Sequence, residues 1–360
     1  MLIVDVLSVC NKHIYFVFTY TYIIFASFYL NLNYVYYWTV LSACSLVWLM
    51  LVSFCCLSYG NNDSYSLRFA DREEANNVLA VSKGYVERLG KFDLEARVGK
   101  KNATHDDMVD MIRRETRDFT DTEKDSVVKA FAILDDAIAR KGLKLPIPQE
   151  VLLIKTTMKE EGGAAAYTRG EVVCLGEGLL KKVNTKRLAK LLAHELFHVM
   201  TRNNIDFRKS MYKIIGFSIL NKEIKFSDDV TERFISNPDV NHYDSYAMLS
   251  VGGKQQPCTM VICSDRDYAG GSFFDYVHIG LVPLDDKFSP VMKDGKMLMY
   301  KLDDASDFYD KVGRNTGYVI NPEECLADNF SIALCGDVKE LPNPEIINEI
   351  VSTIRNFNVD

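Results

Sequence analysis

The sequence has no run rich in lysine and arginine, no pair of cysteines separated by two residues, and no internal repeat or low-complexity segment. Without a basic run, the chain lacks the electrostatic footprint of a nucleic-acid-binding protein. The net charge of −7 agrees with this, so we expect no nucleic-acid partner. The missing cysteine pair argues against a zinc site built on thiolates.

The cysteines do not form an obvious disulfide framework. Their number, nine, is odd, so they cannot all pair within the chain. Cys258 and Cys263 are close enough in sequence for a disulfide if this part of the chain is exported. The alternative is that the five cysteines after residue 60 are all buried thiols.

Charge is almost missing from the first sixty residues, which contain two formally charged side chains. Residues 14–30 and 34–57 are uncharged apolar runs that approach or exceed the roughly 17–25 residues of a membrane-spanning helix. Either both runs form a membrane hairpin, or the second is the apolar part of a secretory signal cleaved near Gly60. We therefore expect a membrane-associated or exported (periplasmic or extracellular) protein, with membrane contact through residues 14–57 if they are not cleaved.

The rest of the chain has the composition of a soluble protein and predicts an α+β fold, with a small sheet packed on helices. Residues 61–120 are predicted to be a helical extension, and residues 121–360 the main domain. The predicted elements are a helical pattern over 66–90, a loop over 99–107, helices over 122–141, 185–201 and 344–357 and from 321 onward, strands over 151–156, 162–167 and 171–175, and a turn at 168–170. Residues 216–295 show few clear elements.

The predicted helix over 185–201 contains the pattern HExxH, formed by His194, Glu195 and His198. Residues four apart share one face of a helix, so both imidazoles can reach one metal ion. Glu195 lies one step further round and reaches toward a water on that metal. The neighbouring residues are apolar, which predicts a buried helix whose polar side chains need a partner. This pattern indicates a zinc site.

A third ligand is needed, because catalytic zinc sites usually have three protein ligands and a water. Asn321 and Pro322 predict the start of a second helix, on which Glu324 and Asp328 share a face. Two like charges at this spacing repel unless a cation offsets them. We predict Glu324 as the metal ligand and Asp328 as the partner of a ligating imidazole. Alternatively, Glu324 caps the helix, and the third ligand is Glu323 or a residue of the loop over 228–244.

HExxH followed by Glu-x-x-x-Asp on a later helix resembles the gluzincin metallopeptidases, the thermolysin-like clan. The segment Glu324-Cys325-Leu326-Ala327-Asp328 looks especially like the E-x-x-A-D helix of membrane-anchored metallopeptidases of the CAAX-processing and heat-shock type. The interval between the two helices is far longer here than in thermolysin. The resemblance implies a zincin-like catalytic domain that binds Zn²⁺ and hydrolyses peptide bonds in a peptide or protein substrate, with Glu195 as the general base.

Two further roles need residues outside the two helices. A side-chain donor should stabilise the oxyanion, and we predict Tyr318 for it, with His242, Tyr243 and His278 as alternatives. The strand before the metal helix is placed like the substrate-binding edge strand of zincins. We therefore predict that the segment of Ala165, Ala166 and Tyr167 binds substrate as an added strand.

Two other functions use the same residues. The zinc site can hydrolyse a non-peptide amide or ester, or the chain can be a non-catalytic, membrane-tethered module with a structural metal. Glu195 argues against the structural metal, because such a site needs no acid–base group and closes all four positions.

Overall fold

The computed structural model describes residues 65–81, 84–240 and 242–358. In these residues, helices pack against two main β-sheets. The elements are β1 (Ser66–Phe69), α1 (Arg72–Val81), α2 (Lys91–Val98), α3 (His105–Glu115), β2 (Thr116–Arg117), α4 (Asp121–Arg140), β3 (Glu150–Thr156), β4 (Ala166–Arg169), β5 (Val172–Gly176), α5 (Glu177–Leu180), α6 (Thr185–Asn203), α7 (Ile205–Ile214), β6 (Phe217–Ile219), α8 (Asp228–Thr231), β7 (Ser245–Val251), β8 (Lys254–Cys263), β9 (His278–Pro283), β10 (Met292–Lys293), β11 (Lys296–Met297), α9 (Phe308–Val312), α10 (Pro322–Cys335) and α11 (Pro344–Asn356). Sheets packed against helices confirm the predicted α+β class.

The larger sheet has the strand order β1-β3-β5-β4, and β2 pairs with one end of β3. Strands β1, β3 and β5 run parallel, whereas β4 is antiparallel to β5 and forms the edge of the sheet. The inner strands are nearly continuous apolar runs, as expected for parallel strands covered on both faces. For example, Val151, Leu153, Val173 and Leu175 have no exposed surface.

Helix α6 packs against this sheet and against α4 and α10. Its start is set by Asn184, whose Oδ1 accepts a hydrogen bond from the N–H of Arg187 at 2.9 Å. Helix α10 starts in the same way, with Asn321 Oδ1 accepting from the N–H of Glu323 at 2.9 Å and Pro322 in the first turn. Both predicted helix starts are confirmed. The buried faces of these helices hold the candidate metal ligands in the core.

The second sheet is a four-stranded antiparallel meander, β6-β7-β8-β9, within residues 217–283. The prediction of few clear elements over 216–295 is therefore wrong. β7 buries alternate side chains, and Gly252 and Gly253, both with positive φ, form its turn into β8. Two glycines between alternating runs are a recognised hairpin signal.

The region predicted as a helical extension is only partly helical. Ser66–Phe69 forms strand β1, paired with residues 150–153 of β3, because its alternating side chains suit a half-buried strand. The predicted loop over 99–107 ends earlier than expected, since a capping box at Thr104 starts α3. The boundary placed at residue 120 stays a prediction.

The hairpin before α6 is shifted relative to its prediction. Positive φ angles at Gly162 and Gly163 keep these residues out of the strand, and the turn falls at Gly170, whose φ is 62°. Thr168 and Arg169 therefore belong to β4 instead of the turn. This shift places the Thr168 hydroxyl 2.8 Å from the Glu195 carboxylate of helix α6.

The five cysteines in the described part of the chain are free, and four of them are buried. Cys258 and Cys263 both lie on β8, five residues apart, so the disulfide alternative is wrong here. The apolar runs 14–30 and 34–57 and the cleavage point near Gly60 lie outside the described residues. Among the described helices, none is long and apolar enough to span a membrane.

Candidate metal centre

Helices α6 and α10 bring two imidazoles and one carboxylate together, although they are far apart in sequence. His194, His198 and Glu324 each offer a ligand atom, and these three atoms lie within 4.8 Å of one another. His194 Nε2 lies 3.0 Å from Glu324 Oε2, and His198 Nε2 lies 3.6 Å from the same oxygen. Both histidines thus face one carboxylate oxygen.

One nitrogen of this cluster has no hydrogen-bond partner. His198 Nε2 is fully buried and unpaired, which costs free energy unless something binds it. Two imidazoles and one carboxylate are a common donor set for catalytic zinc and suit related transition metals. The residues present therefore fit a divalent metal ion.

A second layer of side chains orients the three donors, as is usual around metal ligands. His194 Nδ1 donates to Asp328 Oδ1 at 3.2 Å, and Thr316 donates to the other Asp328 oxygen. This is the partnership predicted for Asp328.

His198 is held in the same way, by a carboxylate that the sequence offered as an alternative ligand. His198 Nδ1 donates to Glu323 Oε1 at 3.2 Å, and Tyr212 donates to Glu323 Oε2 at 2.7 Å. Thr201 also donates to Glu323. Both oxygens of Glu323 are thus used by protein donors, whereas Glu324 points into the cluster.

Without a metal ion, the contacts within the cluster favour a protonated His194 and an ionised Glu324. Burial lowers the pKa of His194, but hydrogen bonds with Asp328 and Glu324 outweigh it and raise the pKa to about 10. Burial likewise opposes ionisation of Glu324, yet the two histidines hold its pKa far below the usual value. A metal ion binding here would displace the proton that His194 holds toward Glu324.

Glu195 lies beside the cluster without being one of its three donors. It is 2% exposed, and its Oε2 accepts a hydrogen bond from Thr168 Oγ1 at 2.8 Å. Burial raises the pKa of Glu195, against the opposing charges of His194 and His198. A raised carboxylate pKa suits a group that takes and returns a proton near neutral pH.

Several residues at the cluster were not identified from sequence, although the loop over 228–244 was an alternative source of a ligand. Asp239 offers an oxygen within 4.8 Å of ligand atoms of Glu195 and His198, and Asn237 donates to Glu324. Arg202 donates to the carbonyl oxygen of Pro238 at 2.7 Å. Asn237 and Asp239 belong to an irregular segment, where no periodicity marks them, so only the tertiary structure shows their place.

Tyr318, the predicted oxyanion donor, lies next to the cluster and contacts His194. Its ring centroid lies 6.1 Å from that of His194, and its side chain is 42% exposed. Partial burial raises the pKa of Tyr318 most, and the negative charges of the surrounding carboxylates raise it further. Its hydroxyl therefore stays protonated at neutral pH.

The other three candidates have partners elsewhere. His242 bonds to Glu223, His278 pairs with Asp265, and Tyr243 packs in an apolar cluster with Phe226 and Phe234.

The segment predicted to bind substrate lies in and just before β4, the edge strand of the larger sheet. Ala165 precedes β4 and accepts a hydrogen bond from the N–H of Gly176, so its carbonyl is used within the sheet. Ala166 opens β4. The Tyr167 side chain is buried away from the cluster, where its hydroxyl donates to Glu160 at 3.1 Å. Substrate binding by this segment stays a prediction, and it would use the backbone of the strand.

Comparison with known proteins finds one partial match. Residues 155–205 match the family described as the eCIS core domain. The matched stretch runs from β3 through the edge strand to the end of α6, and the family is metallopeptidase-like in general terms. No curated protein and no solved structure matches the chain.

Proposed function

We propose that this chain is a zinc-dependent peptidase with a zincin-like catalytic domain of the gluzincin type. His194, His198 and Glu324 hold the zinc, Asp328 orients His194, and Glu195 is the general base. The observation that carries the proposal is the buried, unpaired Nε2 of His198, which faces Glu324 next to His194. The match of residues 155–205 to a metallopeptidase-like family supports it.

The residues divide the chemistry between them. Bound zinc supplies a water of lowered pKa and polarises a carbonyl group. Glu195 removes a proton from the attacking water and returns it to the leaving amine. Thr168 orients the Glu195 carboxylate by its hydrogen bond. Tyr318 donates a hydrogen bond to the carbonyl oxygen as negative charge develops there.

The first test measures metal in the purified full-length protein. We expect about one zinc per chain, because three converging donors make a complete catalytic site. His198→Ala and Glu324→Ala should lose that zinc, since each removes one of three donors. Asp328→Asn should keep the zinc with an affinity about 10–100-fold lower, because it changes only an orienting partner. Plasma emission spectroscopy and competition with a chelator measure these values.

The controls separate loss of metal from general damage. His278→Ala removes an exposed histidine that pairs with Asp265 at 3.3 Å, and it should keep the zinc. Glu323→Gln distinguishes the alternative ligand, since it should weaken zinc binding without abolishing it. Zinc retained in full by Glu324→Ala, or absent from a well-folded wild type, would contradict the proposal.

The location of the protein is a separate proposal, supported by the uncharged runs 14–30 and 34–57. We propose that the chain is exported or membrane-associated. Fractionation of cells expressing the full chain should place it in the membrane or outside the cytoplasm. N-terminal sequencing then distinguishes cleavage near Gly60 from a retained anchor, and an intact chain found only in the cytoplasm would rule out both.

A further inference from the structure

One irregular segment of the chain lies against the metal-ligand cluster. Residues 235–240 connect the region after α8 to the second sheet, and most of their side chains are buried. Asn237 donates from its amide to Glu324, and Asp239 brings its carboxylate close to His198 and Glu195. Two side chains of this segment thus contact the residues that would bind the metal and activate the water.

Asp239 of this segment and Arg202 of α6 together occupy the edge of strand β4. The N–H of Thr168 donates to Asp239, and its carbonyl accepts from Arg202 at 3.0 Å. Both groups therefore point away from β5, and those of Ala166 point the same way by the alternation of an antiparallel ladder. An added substrate strand would need these edge groups. Asp239 and Arg202 take the pair nearest to Glu195.

Hydrogen bonds to helix α2 also hold the segment in place. The N–H of Ser236 lies 3.1 Å from both carboxylate oxygens of Asp93, and its carbonyl accepts a hydrogen bond from Arg97. Both anchors belong to α2, in the region that precedes the main predicted domain. Beyond the cluster, Asp239 and Val240 help to line a cavity of about 170 Å³, so the core does not fill that side.

We propose that Asn237, Pro238 and Asp239 form an internal plug, in which Asp239 is a fourth donor that closes the metal site against substrate. This inference rests on the proposed function, since it needs a metal at His194, His198 and Glu324. A catalytic site keeps one position open, and a fourth protein donor removes it. This conformation of the chain is then a latent form, and the hydrogen bonds from α2 to Ser236 hold it latent.

The test uses the full chain loaded with Co²⁺, whose visible absorption reports its ligands, and acetohydroxamate as the probe of an open site. Wild type should bind the probe weakly. Asp239→Ala should bind it about tenfold more tightly or better. If the plug fills the site about nine-tenths of the time, only about one-tenth of the molecules can bind the probe, which lowers its apparent affinity about tenfold. The metal content should stay at one ion per chain in both.

Two further variants keep the result interpretable. Asp239→Asn preserves the shape and the acceptor for the Thr168 N–H but is a poor metal ligand, so it should also open the site if Asp239→Ala fails to fold. Asp229→Ala changes a half-exposed carboxylate on α8, just before the segment, and should behave like wild type.

Each outcome has one meaning. Tighter probe binding with the metal retained supports the plug. Loss of metal in both Asp239 variants would make Asp239 an obligatory ligand of a closed structural site and overturn the plug. Unchanged probe affinity would show that the site is already open and overturn it as well. A wild type without metal would instead refute the proposed function on which the plug depends.

Discussion

Glutamine in place of Glu195 is expected to lower turnover by about 10²–10⁴-fold while the zinc remains bound. Glutamine has nearly the same shape, and its side-chain oxygen can still accept the hydrogen bond from Thr168. It cannot accept a proton, so the attacking water loses its base. The three metal donors are unchanged, which is why the metal should stay.

The measurement pairs hydrolysis of a peptide library, followed by mass spectrometry, with zinc analysis of the same samples. If the wild type is latent, the comparison is made in the Asp239→Asn background. Glu171→Gln, at an exposed position in the turn between β4 and β5, is the matched control and should keep full activity. Turnover within about threefold of the parent would remove Glu195 from the catalytic role.

The residues that sequence alone could identify are those whose geometry is local. His194 and His198 share a helix face because of the helical repeat, and a helix fixes that relation before any tertiary contact forms. Glu324 was found from the cap signals at its helix start and from its like charge four residues before Asp328. What the sequence could not supply was the approach of α10 to α6.

Residues whose place depends on tertiary structure could not be predicted in this way. Thr168 was assigned to a turn, and only the observed position of β4 turns its hydroxyl toward Glu195. Asp239 lies in an irregular segment. Its role is indicated only by its proximity to Thr168 and His198, which are both distant in sequence.

The meander was missed for a different reason. Its local signal was present in the alternation of β7 and in the pair Gly252–Gly253, but the polar residues around it obscured the pattern. A prediction that gave more weight to the glycine pair could have found β7 and β8. The shift of β4 likewise follows from Gly162, Gly163 and Gly170, whose backbone angles set the ends of the strand.

The largest effect on stability is expected at a buried charge cluster next to the plug. Glu161 accepts hydrogen bonds from Arg97 and Arg169 through separate oxygens, and Tyr85 donates to it at 3.0 Å. The side chains of Glu161, Arg97 and Arg169 are at most 4% exposed. Solvent therefore cannot compensate for a missing charge in this cluster.

Glu161→Gln should lower the free energy of unfolding by about 3–5 kcal/mol, because it leaves a buried guanidinium without its counter-charge. Arg97 keeps Asp93 as a partner at 3.3 Å, so the unpaired charge is that of Arg169. Urea unfolding followed by circular dichroism measures the change. The control Glu177→Gln removes a surface pair with Lys181 and should cost about 0–1 kcal/mol.

A double variant shows whether charge imbalance is the cause. Adding Arg169→Met to Glu161→Gln removes the unpaired guanidinium. The remaining ion pair of Asp93 and Arg97 has no net charge, so the double variant should be more stable than Glu161→Gln alone. If the two losses simply add, packing and not charge governs the cluster. Arg97 on α2 also donates a hydrogen bond to the carbonyl of Ser236, next to the plug. If charge governs the cluster, the stability of α2 therefore depends on the position of the plug.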